Sequence, residues 1–77
     1  MNDFFAPPPP EIFRDPVKGI VESAISLNFS GRIKYQGSYW EARFYRPSAT
    51  LVIPPKKTVN VVGIQGLTLL VIPEGDY

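Results

Sequence analysis

The chain predicts an all-β protein, a small five-stranded barrel, and three observations carry that prediction. Ile33, Tyr35, Trp40, Ala42 and Phe44 alternate with Arg32, Lys34, Tyr39, Glu41, Arg43 and Tyr45 around Gln36-Gly37-Ser38, the period-two pattern of a hairpin with one buried face. Residues 59–73 repeat the pattern around Gln65-Gly66, with Val59, Val61, Leu67, Leu69 and Val71 in phase. The third observation is size. At 77 residues a chain buries roughly 60% of its unfolded surface, enough for a single core. A barrel this narrow is filled by its own side chains, so its work falls to its outer face.

The elements follow in order. Residues 1–16 form a proline-rich N-terminal extension, with Pro7, Pro8, Pro9, Pro10 and Pro16 removing backbone donors and favouring an extended polyproline II shape. Such a segment is a flexible tail or a docking peptide for an aromatic-lined groove. Phe4, Phe5, Ile12 and Phe13 are too apolar for a purely solvated tail and could fold back onto the barrel. The barrel domain spans residues 17–73. Its first stretch reads two ways: Val17, Ile20, Val21 and Ala24 have helical spacing after Asp15-Pro16, whereas Val21, Ser23, Ile25 and Leu27 alternate as a strand. Gly19 and the β-branched residues tilt the reading toward a strand.

Gly37 supplies the positive φ of the first hairpin turn. Ile33, Tyr35, Trp40, Ala42 and Phe44 are assigned to the interior, where small Ala42 beside large Trp40 suits a narrow barrel. Residues 46–57 contain Pro47, Pro54 and Pro55 and are too rich in proline for a central strand, although residues 51–53 suit a short edge strand or a cap. In the second hairpin Gly63 loosens the fourth long strand, and Pro73 ends the fifth. Residues 74–77 are a short C-terminal tail.

Composition excludes more than it includes. The chain has no cysteine and no histidine, which removes disulfides, thiolate metal sites and the usual neutral-pH acid or base. No carboxylate pair has catalytic spacing and only lone serines could serve as nucleophiles, so neither an enzyme nor a cofactor is expected. No apolar run approaches the ~20 residues of a membrane-spanning helix. Met1 to Ala6 lack the basic start and apolar stretch of a secretory signal, which makes the cytoplasm the expected location. The net charge is +1, but the charge is segregated. Arg32, Lys34, Arg43, Arg46, Lys56 and Lys57 face the single acid Glu41 across residues 32–57, while Asp3, Glu11, Asp15, Glu74 and Asp76 lie toward the ends.

Gly31-x-Ile33 followed by Gly37-x-x-Trp40-x-Ala42, then Val59-x-Val61-Val62 and Gly66-Leu67-Thr68-Leu69-x-Val71-x-Pro73, resemble the C-terminal soluble domain of the NfeD family over residues 19–73. The resemblance implies a five-stranded OB-like barrel. Members of that family are membrane proteins, usually with membrane helices and sometimes a serine protease domain before the barrel, and are linked to stomatin- or flotillin-type membrane proteins as partners. Neither membrane helices nor a protease segment is found in this sequence, so anchoring and proteolysis are not carried over. Lys56-Lys57 replaces the glycine that usually precedes the fourth strand, and the connection over residues 46–55 is longer than the common form. The implied protein is a stand-alone barrel that acts by contact with another protein, cytoplasmic or peripheral at the membrane through that partner.

Two outer faces could make the contact. Arg32, Lys34, Tyr39, Arg43 and Tyr45 project from the first hairpin. Basic residues interleaved with aromatics on an OB-like barrel can bind a protein partner or, alternatively, single-stranded nucleic acid, phosphates meeting cations and bases stacking on rings. An ordinary solvated face, with Glu41 beside Arg32 or Lys34, would have the same composition. On the second hairpin Val62 and Ile64, then Leu70 and Ile72, fall out of phase with the inward set, leaving it apolar on both sides. Covering each such side chain is worth roughly 1.5–3 kcal/mol, so Val62, Leu70 and Ile72 form a homodimer or partner patch unless Phe4, Phe5, Phe13 or residues 51–53 cover them. Arg46, Lys56 and Lys57 could add weak attraction to an anionic membrane surface.

Overall fold

A computed structural model describes residues 8–75, and the readings that involve Phe4 and Phe5 lie outside the described residues. Every regular element among the described residues is a strand: β1 (Glu11–Ser23), β2 (Ile25–Ser26), β3 (Gly31–Tyr35), β4 (Ser38–Phe44), β5 (Val52–Ile53), β6 (Thr58–Gln65) and β7 (Thr68–Pro73). Five of them close a barrel in the order β1-β3-β4-β7-β6, while β2 and β5 pair as a separate two-stranded ribbon. All barrel pairings are antiparallel except β4 with β7. This is the OB-like arrangement, in which closure leaves few free strand edges.

The alternation read from the sequence sets the inside of the barrel. Val21, Ile25, Ile33, Ala42, Phe44, Ile53, Val59, Val61, Leu69 and Val71 form one buried cluster. Tyr35 and Trp40 pack against it partly buried, their rings edge to face with centroids 6.5 Å apart. Residues 17–23, which the sequence left between helix and strand, lie within β1. There Val21 is the cross-strand neighbour of Ile33. The short edge strand expected within residues 51–53 is β5, paired with β2 through Ile25 and Ile53.

Three details differ from the alternation. β1 starts at Glu11, inside the segment expected as an extension: Glu11 pairs with Ile64 and Ile12 with Gly63. Pairing then lapses until Val17 meets Val61, and the intervening residues, with Pro16 among them, bow out as a bulge. On β6 the register against β7 shifts between Val61 and Gly63, so one extra residue reverses the phase and turns Ile64, expected outside, against the barrel core. The second turn also sits one residue later than expected. Gln65 pairs with Thr68, which leaves Gly66 and Leu67 as the turn, and Leu67, expected in the core, is 83% exposed. Gly66 has φ 63°, as the first central residue of a type II′ turn requires.

Candidate interaction site

The outer face of the β3–β4 hairpin follows from register. Arg32 lies opposite Glu41 and Lys34 opposite Tyr39, so these four side chains point away from the core that Ile33, Trp40 and Ala42 line. The tight turn that aligns them uses Gln36 at φ 49° and Gly37 at φ 83°, the pair of left-handed residues of a type I′ turn. On this face the Tyr39 ring is half exposed. The Arg32 guanidinium stands 4.9 Å from its centroid and the Lys34 ammonium 5.9 Å, both within cation–π range.

Arg32 is also held from a third strand. Its Nε lies 3.1 Å from Glu22 Oε1 on β1, so its ion-pair partner is Glu22 rather than the cross-strand Glu41. Sequence reasoning missed Glu22. The contact depends on β1 and β3 being neighbours, as the Ser23–Arg32 pairing shows, and no local pattern announces it.

The five residues expected on this face divide into two groups. Arg32, Lys34 and Tyr39 form one cluster near the turn. Arg43 and Tyr45 lie farther along the same outward side, where Arg43 is level with Leu70 of β7 and the Tyr45 ring carries the Arg46 guanidinium at 5.7 Å. Tyr39 lies near the start of β4 and Tyr45 just past its end, six residues on, a separation of about 20 Å in extended chain.

Val62, Leu70 and Ile72 do come together, as a second apolar cluster outside the barrel wall. They are 8%, 2% and 5% exposed, so little of this cluster is open to solvent. The physical reason is the early start of β1. Ile12 lies against Gly63, where a Cβ would come within 2.5 Å of the Glu11 carbonyl oxygen, and the absence of a side chain at Gly63 lets β1 close over β6. Ile12, Phe13 and Pro16 from β1, with Tyr45 and Arg46 after β4, line a groove of about 370 Å³ above Val62 and Ile72.

Among the described residues no three His, Cys, Asp or Glu side chains gather to hold a metal ion, and no helix is long and apolar enough to cross a membrane. The closed five-strand barrel defines a small domain of the OB-like class. The chain belongs to the NfeD family: the family model for the NfeD-like C-terminal, partner-binding domain matches residues 18–73, nearly all of the barrel. It is therefore a protein-interaction module. Among solved structures it is similar to the C-terminal domain of stomatin operon partner protein 1510-C from Pyrococcus horikoshii, at 35% identity and TM-score 0.64, over 78% of this chain and 86% of that one. No curated protein matches the chain.

Proposed function

We propose that the domain is non-catalytic and binds a membrane-associated partner of the stomatin or flotillin type, through the outer face of the β3–β4 hairpin. The observation that carries this reading is the cluster of Arg32, Lys34 and Tyr39, exposed on a rigid two-strand surface in a domain of a partner-binding family. Its similarity to a stomatin operon partner protein suggests the kind of protein that is met. Arg43 and Tyr45 extend the contact along β4. Rings flanked by cations give large contact area with little side-chain entropy to lose, which is why Tyr and Arg dominate binding hot spots. The chain would act in the cytoplasm, at the membrane through its partner.

The same cluster argues against single-stranded nucleic acid. Tyr39 already has two cations over its ring and Arg32 is shared with Glu22, so a base would have to displace a guanidinium from the ring. The test is capture of the purified soluble part of a stomatin-type protein by the full chain, alongside the R32E/R43E double variant and a short single-stranded oligonucleotide at low salt. Capture by the native chain, loss of capture in a double variant that still unfolds cooperatively, and no oligonucleotide binding are expected. Equal capture by the double variant, or oligonucleotide binding that the charge reversal abolishes, would overturn the proposal.

A further inference from the structure

The turn before β6 carries a lysine in a backbone conformation that suits glycine. Lys56 has φ 75° and follows Pro55, and a proline followed by a left-handed residue is the signature of a type II turn, whose second central position is ordinarily glycine or asparagine. The neighbours fix the turn in place. Lys56 N donates to the Val21 carbonyl oxygen at 2.7 Å and Val21 N donates to that of Lys57 at 2.8 Å, so two backbone hydrogen bonds strap residues 56 and 57 onto β1. A side chain at such a position works against its own backbone preference, and strain of this kind collects where a side chain has a task.

The strap brings Lys56 to the rim of a concave surface. Ile20, Lys34, Tyr39, Pro55 and Lys56 line a depression of about 340 Å³, continuous with the β3–β4 face because Ile20 is the cross-strand neighbour of Lys34 and Lys34 that of Tyr39. Its floor is apolar: Ile20 is 47% and Tyr39 50% exposed. Its rim is cationic. Lys34 and Lys56 make no ion pair among the described residues, and Glu22, the acid on its wall, is paired with Arg32. Apolar contact area bounded by two unpaired cations is complementary to a chain that alternates apolar side chains with carboxylates.

We propose that this depression is the docking site for an acidic, apolar-bearing segment of the protein partner, with Lys56 held in the left-handed region to place its ammonium opposite a partner carboxylate. The proposal rests on the reading of the β3–β4 outer face as the partner-binding surface, and adds the chemistry of what binds there. An anionic lipid surface is the competing occupant, and the test separates the two.

The full chain, labelled with nitrogen-15, is titrated with a short peptide alternating glutamate with leucine, with its lysine–leucine counterpart, and with phosphatidylcholine vesicles containing phosphatidylserine. The glutamate peptide is expected to shift the amide signals of Ile20, Lys34, Tyr39 and Lys56, while the lysine peptide and the vesicles leave them in place. The Lys56→Gly variant is expected to melt about 2–5 °C higher, because the left-handed strain is relieved, and to bind the glutamate peptide about fivefold more weakly. Lys57→Gly leaves the affinity unchanged. Unchanged affinity in Lys56→Gly, a lower melting temperature, or shifts produced by the vesicles instead of the peptide would each overturn the proposal. If a stomatin-type protein is captured equally by native and Lys56→Gly chains, this inference falls while the partner reading stands. If that protein is never captured but the glutamate peptide binds as described, the identity of the partner falls instead.

Discussion

The two hairpins of the barrel have the same inward pattern and opposite outward ones. In β3–β4 the inner side chains Ile33 and Ala42 are fully buried while Arg32, Lys34, Tyr39 and Glu41 stand in solvent. In β6–β7 the inner Val59, Val61, Leu69 and Val71 are as deeply buried, but so are the outward Val62, Leu70 and Ile72. The difference lies in the neighbours: β1 and the segment after β4 reach over β6 and β7, and nothing among the described residues lies over β3 and β4 in the same way. An antiparallel sheet that packs on one side reads as apolar alternating with polar, and one packed on both sides reads as continuously apolar. The lesson is that the apolar hairpin, which looks the more adhesive in sequence, is buried within the fold, and the polar hairpin is the part left open to solvent.

Substitutions sharpen this contrast when placed at outward positions of each hairpin. The largest effect is expected at Leu70, 2% exposed: Leu70→Ala should lower unfolding free energy by about 2–5 kcal/mol in urea denaturation, although the residue points away from the barrel centre. A loss under ~0.5 kcal/mol would mean that the outer cluster is not a core. Next is Gly63→Ala, whose Cβ would press on the Glu11 carbonyl. It should cost about 1–3 kcal/mol and increase hydrogen exchange in β1 near Ile12, and an unperturbed β1 would break the claim that this strand closes the second face. Tyr39→Ala should remove only the cation–π contacts, about 0.5–1 kcal/mol at an exposed ring, yet abolish partner capture. Arg32→Ala, which loses an exposed ion pair to Glu22, should cost ~0.5 kcal/mol of stability, and the difference in capture between native and variant chains should shrink as salt rises.

Much of this arrangement was legible in the chain itself. Trp40, Ala42, Ile33 and the in-phase Val59, Val61, Leu69 and Val71 were placed by alternation, because a period of two is a direct imprint of the pleat. Family membership was legible too, in the Trp40-x-Ala42 step and the Gly66-Leu67-Thr68-Leu69 run. What alternation could not supply was the single extra residue at the β6 bulge, which sends Ile64 inward, or the one-residue offset that leaves Leu67 in the turn. Both depend on where hydrogen-bond register slips, and a slip of one residue inverts a whole face without altering composition. Prolines concealed the start of β1 at Glu11, since Pro16 is tolerated only because a bulge absorbs it. On the candidate site, register alone put Arg32, Lys34 and Tyr39 together. The Glu22 contact and the left-handed Lys56 depend on β1 lying between β3 and the turn before β6, a relation set by topology.

The most direct test of which face binds is hydrogen exchange across the full chain, with and without the purified soluble part of a stomatin-type protein. New protection is expected on β3 and β4, centred on Arg32, Lys34 and Tyr39, with β6 and β7 already slow to exchange in the free chain and unchanged on binding. Protection that arises over Val62, Leu70 and Ile72 while the β3–β4 amides exchange as before would contradict that expectation.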